Sequence, residues 1–325
     1  MSSLQVASYQ PDSYAHDFAE KITSQYGPDT IEDIDVIKLL AKTRFPVYLA
    51  SLTSTKQKVA LKLFPYKDGE PCKYYFNESR FEPLSHQNVI QIVCAEDETA
   101  ISLGKGLKKF SCILMEYAPY GDFFDFMKKH KQNITDKLLR TYFRQLVDGL
   151  EYLHKNGVYH LDLKLDNLLM GADFQLKIAD FDLSFVAGDT DLLSKGTRFY
   201  RAPELKACQC KDFTAADVYS AGVMLFVLKC GGIVPHVENN TCEGINFYEL
   251  LESNPEEFFE KHCEVQAKDK SFFDANFKEL FIGMTKQNAS ERMTLQDVKK
   301  SRWYQGPVYS KDELKLKMKY LFSRS

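Results

Sequence analysis

The stretch YHLDLKLDNLLM at residues 159–170 constrains the fold more than any other part of the chain. Asp162, Lys164, Asp166 and Asn167 are interleaved there with Leu161, Leu163, Leu165, Leu168 and Leu169. A buried strand does not tolerate so many polar groups without partners. A surface loop has no use for so many leucines. The mixture describes a loop pinned to a core by its leucines, with its polar side chains aimed into a cleft. Such loops are where binding and catalytic residues concentrate.

A loop of that kind needs a large scaffold. The chain has 325 residues, enough for one large domain or two fused lobes. Apolar residues make up 44% and charged residues 27%, the balance of an ordinary globular protein. The formal net charge of −3 gives no global reason to expect nucleic acid or an anionic membrane as a partner. The eight cysteines are dispersed, with only Cys208 and Cys210 close together, which is not zinc spacing and fits a reducing compartment. The opening MSSLQVASYQ lacks the basic start and apolar stretch of a signal peptide, and Ser2 stands where N-myristoylation needs glycine. The longest apolar run, AGVMLFVL at 221–228, is too short to span a bilayer. The expectation is a cytoplasmic monomer, an enzyme or binding module, with no nucleic-acid and no membrane partner.

The pattern divides the chain. Residues 1–33 are polar and aperiodic, a flexible tail with at most a short helix near YAHDFAEKI. From residue 34 to 117 strand signals dominate: FPVYLASL and KVALKLF flank the turn-like TSTKQ, and FSCILMEYA reads as another buried strand. CKYYFNESRF can carry one helix. After Pro119 helices take over. DFFDFMKKH is short; Thr135 caps a longer helix whose stripe runs Leu138, Leu139, Tyr142, Phe143, Leu146, Leu150, Leu153; Gly157 ends it. QLKIADFDLSF is a strand and a loop, and at least four more helical segments follow residue 210. The fold class is α+β, with a small β-rich part over 34–117, a larger helical part over 118–305 and a tail over 306–325.

The order of short motifs resembles the eukaryotic protein kinase family over roughly residues 34–305. VALK (59–62), HLDLKLDN (160–167), DFD (180–182), GTRFYRAPE (196–204), DVYSAGV (217–223) and SERMT (290–294) follow one another as that family's motifs do. The resemblance implies a bilobal kinase-like fold that uses ATP and Mg²⁺ for phosphoryl transfer. It implies that Asp162 orients or deprotonates the acceptor hydroxyl and that Lys164 stabilises charge developing on the transferred group. It implies Asn167 and Asp180 as oxygen ligands for Mg²⁺, and Lys62 on the α/β-phosphates. Leu169 becomes the floor under adenine, with Val47 and Ala60 above, Met115 the gatekeeper, and Glu116 and Ala118 the hinge backbone. Asp217 and the Glu204–Arg292 pair carry structural roles. Read alone, Asp162 and Lys164 are a surface ion pair, Asp217 a helix cap and Met115 core.

Four departures stand out. Ala41, Thr43 and Pro46 occupy the glycine positions of the nucleotide loop, and one residue is missing before Val47; Pro46 has no N–H to offer a phosphate. Glu78 is the natural partner of Lys62, yet counting back from His86 selects Asn77; the carboxylate is the better match for an ammonium. Leu161 replaces the arginine that grips an activation-loop phosphate in relatives. Among the hydroxyls left there, Thr190, Ser194 and Thr197, the last is expected to bond within the active site. Asp182 replaces the glycine of DFG, which should make the segment's backbone flip less free.

Lys164 matches the serine/threonine pattern, and the layout loosely resembles the calcium/calmodulin-dependent kinase group. The implied partner is a protein substrate, basic around its phosphosite if Asp122 and Asp166 face it; Asp122 as a plain helix cap is the equal alternative. KDELKLKMKYLF is basic and apolar like a calmodulin target, but its apolar residues alternate at period two, so a packed or solvated tail is the reading. The alternative to an active kinase is a pseudokinase that binds nucleotide or acts as a scaffold.

Overall fold

The structure is a computed structural model that describes residues 34–103, 106–194, 196–235 and 247–323. The segment read as a tail with a short helix, residues 1–33, lies outside the described residues. The chain divides into two compact units between Tyr117 and Ala118. The first is built on a six-stranded antiparallel sheet. Its strands are β1 (Ile34–Ala41), β2 (Val47–Leu52), β3 (Lys58–Lys67), β4 (Glu70–Pro71), β5 (Ile92–Ser102) and β6 (Leu107–Glu116), in the order β1-β2-β3-β6-β5 with β4 paired to β3. One helix, α1 (Lys73–Ser79), joins β4 to β5. The sequence of β3, VALKLF after Lys58, is buried along its length because it lies mid-sheet. Ala50, Val59, Leu61, Leu63, Cys112 and Leu114 form the apolar cluster on one face.

The second unit is helical. Its helices are α2 (Phe123–His130), α3 (Asp136–Lys155), α4 (Pro203–Lys206), α5 (Phe213–Lys229), α6 (Phe247–Ser253), α7 (Pro255–Val265), α8 (Ala275–Met284), α9 (Leu295–Lys300), α10 (Arg302–Gln305) and α11 (Lys311–Phe322). Four short strands, β7 (Val158–Tyr159), β8 (Leu168–Met170), β9 (Leu176–Ile178) and β10 (Phe185–Val186), pair as β7–β10 and β8–β9. Helix α3 starts where Thr135 Oγ1 accepts from the Leu138 N–H and stops at Gly157, which takes φ +68°. Helix α5 is mostly apolar with no exposed face between Ala215 and Leu228, where every residue is buried, Asp217 and Ser220 included; such a helix can only be central. It packs against α3 and α8. Among the described residues no helix is long and apolar enough to cross a membrane.

The C-terminal segment is packed, one of the two outcomes read from sequence, but it departs from that reading in being helical. Period two suggested a poor helix, yet Lys311–Phe322 is one, opened by a capping box of Ser310 and Glu313. Leu314, Met318 and Leu321, spaced four and three apart, are the buried face. Leu316 and Tyr320, two members of the alternating set, are 69% and 50% exposed. The alternation misled because lysines fill the polar face between apolar residues of both faces. The apolar face that a calmodulin-type groove would take is thus spent on the chain's own second unit. Two arginines of α3 hold the strap that leads to α11. Arg140 donates to the Trp303 and Pro307 carbonyls, and Arg144 to those of Tyr304 and Gly306. At its far end Phe322 enters a ring cluster with Tyr120 (5.0 Å), His130 (5.5 Å) and Phe174 (5.7 Å). Phe322→Ala is expected to lower stability by about 1–3 kcal/mol, since the ring is half-buried rather than fully so. Urea unfolding of the full chain reads this as a lower midpoint.

Candidate active site

In the first unit, strand register decides which side chains share a face. Val47 pairs with Lys62, and Ala60 pairs with Leu49 on one side and Met115 on the other. Directly opposed residues point the same way, as do residues two apart. Val47, Ala60, Lys62 and Met115 therefore stand on one face, opposite the cluster around Leu61 and Leu63. Lys62 is buried, and a buried ammonium requires a partner. That partner is the Glu78 carboxylate, on the inward face of α1. Of the two residues open from sequence, Glu78 and Asn77, it is Glu78 that reaches the lysine. The Glu116 N–H donates to the Gln91 carbonyl at 2.9 Å, and the Gln91 N–H donates back to Glu116 Oε1 at 2.9 Å.

The turn between β1 and β2 is held by side chains instead of glycines. Phe45 is buried, its ring 4.7 Å from Phe64 and 5.4 Å from Tyr74. The Arg44 guanidinium lies 3.8 Å from the centre of the Tyr74 ring. Thr43 Oγ1 donates to the Phe45 carbonyl at 2.7 Å, and the Pro46 carbonyl accepts from the Leu63 N–H at 3.0 Å. Pro46 thus uses its acceptor where it has no donor.

In the second unit the opening stretch is a loop anchored by leucines. Leu161, Leu163, Leu165 and Leu168 are buried, while Asp166 is exposed and Lys164 and Leu169 are half-buried. Leu169 sits on β8, which pairs with β9, and bridges to Asp122. The Ala118 carbonyl accepts from the Gly121 N–H at 3.4 Å, and the Gly121 carbonyl accepts from Met170 at 2.8 Å, tying the first residues of this unit to the loop. Asp217 is no helix cap, since Asp212 fills that place. Fully buried, Asp217 accepts from the His160 N–H at 2.9 Å, the Leu161 N–H at 2.8 Å and His154 Nε2 at 2.9 Å. These bonds hold Leu161 at φ +59°, a costly conformation for a branched residue that persists only when its surroundings fix it.

Asp162 is the centre of the polar network. Its Oδ1 accepts from the Thr197 N–H at 2.7 Å and Oγ1 at 2.6 Å. Its Oδ2 accepts from Lys164 Nζ at 2.7 Å and Asn167 Nδ2 at 3.3 Å. Burial disfavours the charge on Lys164, but the Asp162 carboxylate more than offsets this, with Asp180 and Asp166 adding, so its pKa lies above the usual lysine value. Asn167 also donates to the Asp162 carbonyl at 2.9 Å, so its amide nitrogen is committed and its oxygen is turned away as an acceptor. Asp180, like Leu161, takes a positive φ, +70°. Asp182 is not among the residues with positive φ, so this conformation does not need the glycine that sequence comparison expects there. The segment is sewn to the loop through Ala179: its N–H donates to the Asn167 carbonyl at 2.9 Å and its carbonyl faces His160 Nε2 at 3.0 Å.

The pair of hard oxygens on Asn167 and Asp180 suits Mg²⁺. Among the described residues no group of three or more His, Cys, Asp or Glu gathers into a metal cage. A Mg²⁺ ion held by one or two protein oxygens and substrate phosphates needs none.

Residues 45–304 match the protein kinase domain. The chain belongs to the protein kinase family. It is 32% identical over 271 residues to CBL-interacting protein kinase 11 of Oryza sativa subsp. japonica, covering 81% of this chain and 49% of that protein. It is 31% identical over 271 residues to CBL-interacting protein kinase 28 of the same plant, covering 81% and 56%. It is 33% identical over 196 residues to CBL-interacting serine/threonine-protein kinase 20 of Arabidopsis thaliana, covering 59% and 41%. The chain spans about half the length of the curated relatives it matches. As a kinase domain it carries Lys62 with Glu78 in one unit and the network of Asp162 with Lys164, Asn167 and Thr197 in the other. Motif order announced all of these residues except Glu78, which charge chemistry chose over the Asn77 that spacing selected. It did not announce His154 and His160, whose bonds set the loop's backbone, because histidine beside a motif carries no positional code of its own.

Proposed function

We propose that the chain is a protein serine/threonine kinase that transfers the γ-phosphoryl group of ATP to hydroxyls of protein substrates, acting as a cytoplasmic monomer. The observation that carries this reading is the buried Asp162 carboxylate with Lys164 on one of its oxygens. Asp162 orients the acceptor hydroxyl and takes its proton. Lys164, kept charged by Asp162, offsets negative charge that develops on the transferred group. Lys62, held by Glu78, binds the α/β-phosphates. Val47, Ala60, Met115 and Leu169 offer apolar surface to adenine, and the backbones of Glu116 and Ala118 bond its edge. Asn167 and Asp180 hold Mg²⁺, which when bound neutralises phosphate charge. Substrates are basic around the phosphosite. In support, Asp122 caps α2 with Oδ1 accepting from the Asp125 N–H at 2.8 Å. Its pKa is raised by burial, with Asp125 and Asp166 adding, so a cation there is welcome.

The test is radiolabelled phosphate incorporation into a generic basic protein, with and without Mg²⁺. Mg²⁺-dependent labelling on serine or threonine is the expected result; no labelling under either condition removes the reading. A peptide library with no preference for Arg or Lys near the acceptor would remove only the substrate part.

Activity should not need phosphate on the activation segment. Leu161 is buried and offers no cation to a phosphate there. Phosphatase-treated protein is expected to keep most of its activity. Loss of activity on dephosphorylation, restored by phosphate at Ser194, would contradict this.

A pseudokinase is the second reading, favoured by the turn at 42–46, where Phe45 is buried and Pro46 cannot donate to a phosphate. Calorimetry with ATP, with and without Mg²⁺, separates the two when run beside the transfer assay. Nucleotide binding without transfer supports the scaffold.

A further inference from the structure

With Leu161 in place of a basic residue, something other than a phosphate must hold the activation segment against the catalytic loop. Gly196 makes the first contact. It takes φ +81°, and a Cβ built there would run into the Leu161 carbonyl oxygen, so only glycine lets the two backbones approach. The peptide group that joins Gly196 to Thr197 is then bonded at both ends. Its N–H donates to Asp162 Oδ1 at 2.7 Å. Its carbonyl accepts from Arg201, from Nη2 at 2.8 Å and Nε at 3.2 Å. Arg201 is half-buried, and among the described residues no carboxylate is paired with it. Its charge is spent on this one carbonyl.

We infer that Arg201 is a positioning residue that does the work of the missing phosphate clamp, acting on Asp162 through the Gly196–Thr197 peptide. A cation at the carbonyl end and a carboxylate at the N–H end both align with the dipole of that peptide group. Hydrogen bonds in such a chain polarise and strengthen one another. The peptide in turn fixes Oδ1 of Asp162, which leaves Oδ2 directed at Lys164. The two-pronged grip uses the rigid fork of a guanidinium, which a lysine reproduces only as a single point charge. A residue that merely stapled the segment would change stability and leave the chemical step alone.

The inference rests on the phosphotransfer reading, and the experiment keeps the two apart. Arg201→Ala and Arg201→Lys are made in the full chain and treated with phosphatase. Turnover of Arg201→Ala is expected to fall about 10- to 100-fold, the scale of a misplaced catalytic group. The KM for ATP should stay near the wild-type value, and Arg201→Lys should recover part of the loss. Amide hydrogen exchange at Thr197 should be faster in Arg201→Ala, whether or not transfer is measured. Wild-type turnover in Arg201→Ala, or a loss tracked by a fall in Tm that Arg201→Lys does not mend, overturns the inference and leaves the kinase reading intact. Absence of transfer in the wild type overturns the kinase reading and, with it, the role in turnover. In that case unchanged exchange at Thr197 removes the clamp too, and faster exchange keeps it as a structural device.

Discussion

Replacing Asp162 with alanine is expected to lower turnover by about 10²–10⁴-fold while ATP affinity changes little. The carboxylate is saturated by donors: Thr197 on Oδ1, Lys164 and Asn167 on Oδ2. Removing it takes away the group that receives the hydroxyl proton and also leaves a half-buried ammonium beside unpaired N–H groups. The lysine pKa, raised chiefly by Asp162 against the pull of burial, should then fall, because only the smaller contributions of Asp180 and Asp166 are left to oppose burial. Asp162→Asn separates shape from charge. An amide has one acceptor oxygen where two are in use, so its NH₂ must face a donor, and Asn is not a silent substitute. Both variants should lose turnover, with alanine also losing stability. Transfer kinetics beside ATP calorimetry decide it. Most of the activity surviving in Asp162→Ala would take the residue out of its role.

The central stretch was legible because two demands collided in it. Leucines that must be buried and polar groups that must be satisfied can coexist only in a loop braced from behind, and Asp217 is the brace, through the N–H groups of His160 and Leu161. Lys62 was legible for a similar reason, as a lone charge inside the apolar VALK strand. Its partner was harder. Asn77 and Glu78 are adjacent and both buried, so only charge chemistry favoured the carboxylate.

Other parts were hidden by local composition. β5 reads IVCAEDETAIS, and its acidic middle breaks any strand signal, yet ladder pairing with β6 runs from Ile92 to Ser102 with two register shifts. β1 is an edge strand with Ile37, Leu39 and Leu40 exposed, so it lacks the alternation that one buried face imposes. Helix α11 was misread because a count of apolar residues weighs Leu316 and Tyr320 like Leu314 and Met318. Which face of the helix is buried depends on partners distant in sequence, as Tyr120 and Phe174 are for Phe322. Arg201 is the extreme case. Nothing in its neighbourhood distinguishes an arginine that grips a carbonyl from one in water.

Arg292→Ala is expected to cost about 3–5 kcal/mol of stability, the range for breaking a buried ion pair from one side. The Arg292 side chain is wholly buried. Its fork meets Glu204 at both oxygens, Nη1 to Oε1 at 2.6 Å and Nη2 to Oε2 at 3.0 Å. The other donors reach the carbonyls of Ala215 (2.7 Å), Lys286 (3.0 Å) and Gln287 (3.3 Å), and the guanidinium lies 5.0 Å from the centre of the Tyr219 ring. Alanine strands Glu204 and leaves three carbonyls short of a donor. It also opens a hole beside α5, the helix that carries Asp217. For a unit of this size the loss corresponds to a fall in Tm of about 6–20 °C. Arg292→Lys should recover little, because an ammonium cannot span both carboxylate oxygens and the carbonyls together. Replacing the pair at once, Arg292→Met with Glu204→Leu, should cost less than Arg292→Ala alone, since no charge is then left buried without its partner. Thermal and urea unfolding of the variants, with the urea slope unchanged, measure this. A loss under about 1 kcal/mol in Arg292→Ala would mean that water reaches the site and that the pair is not the lock its geometry describes.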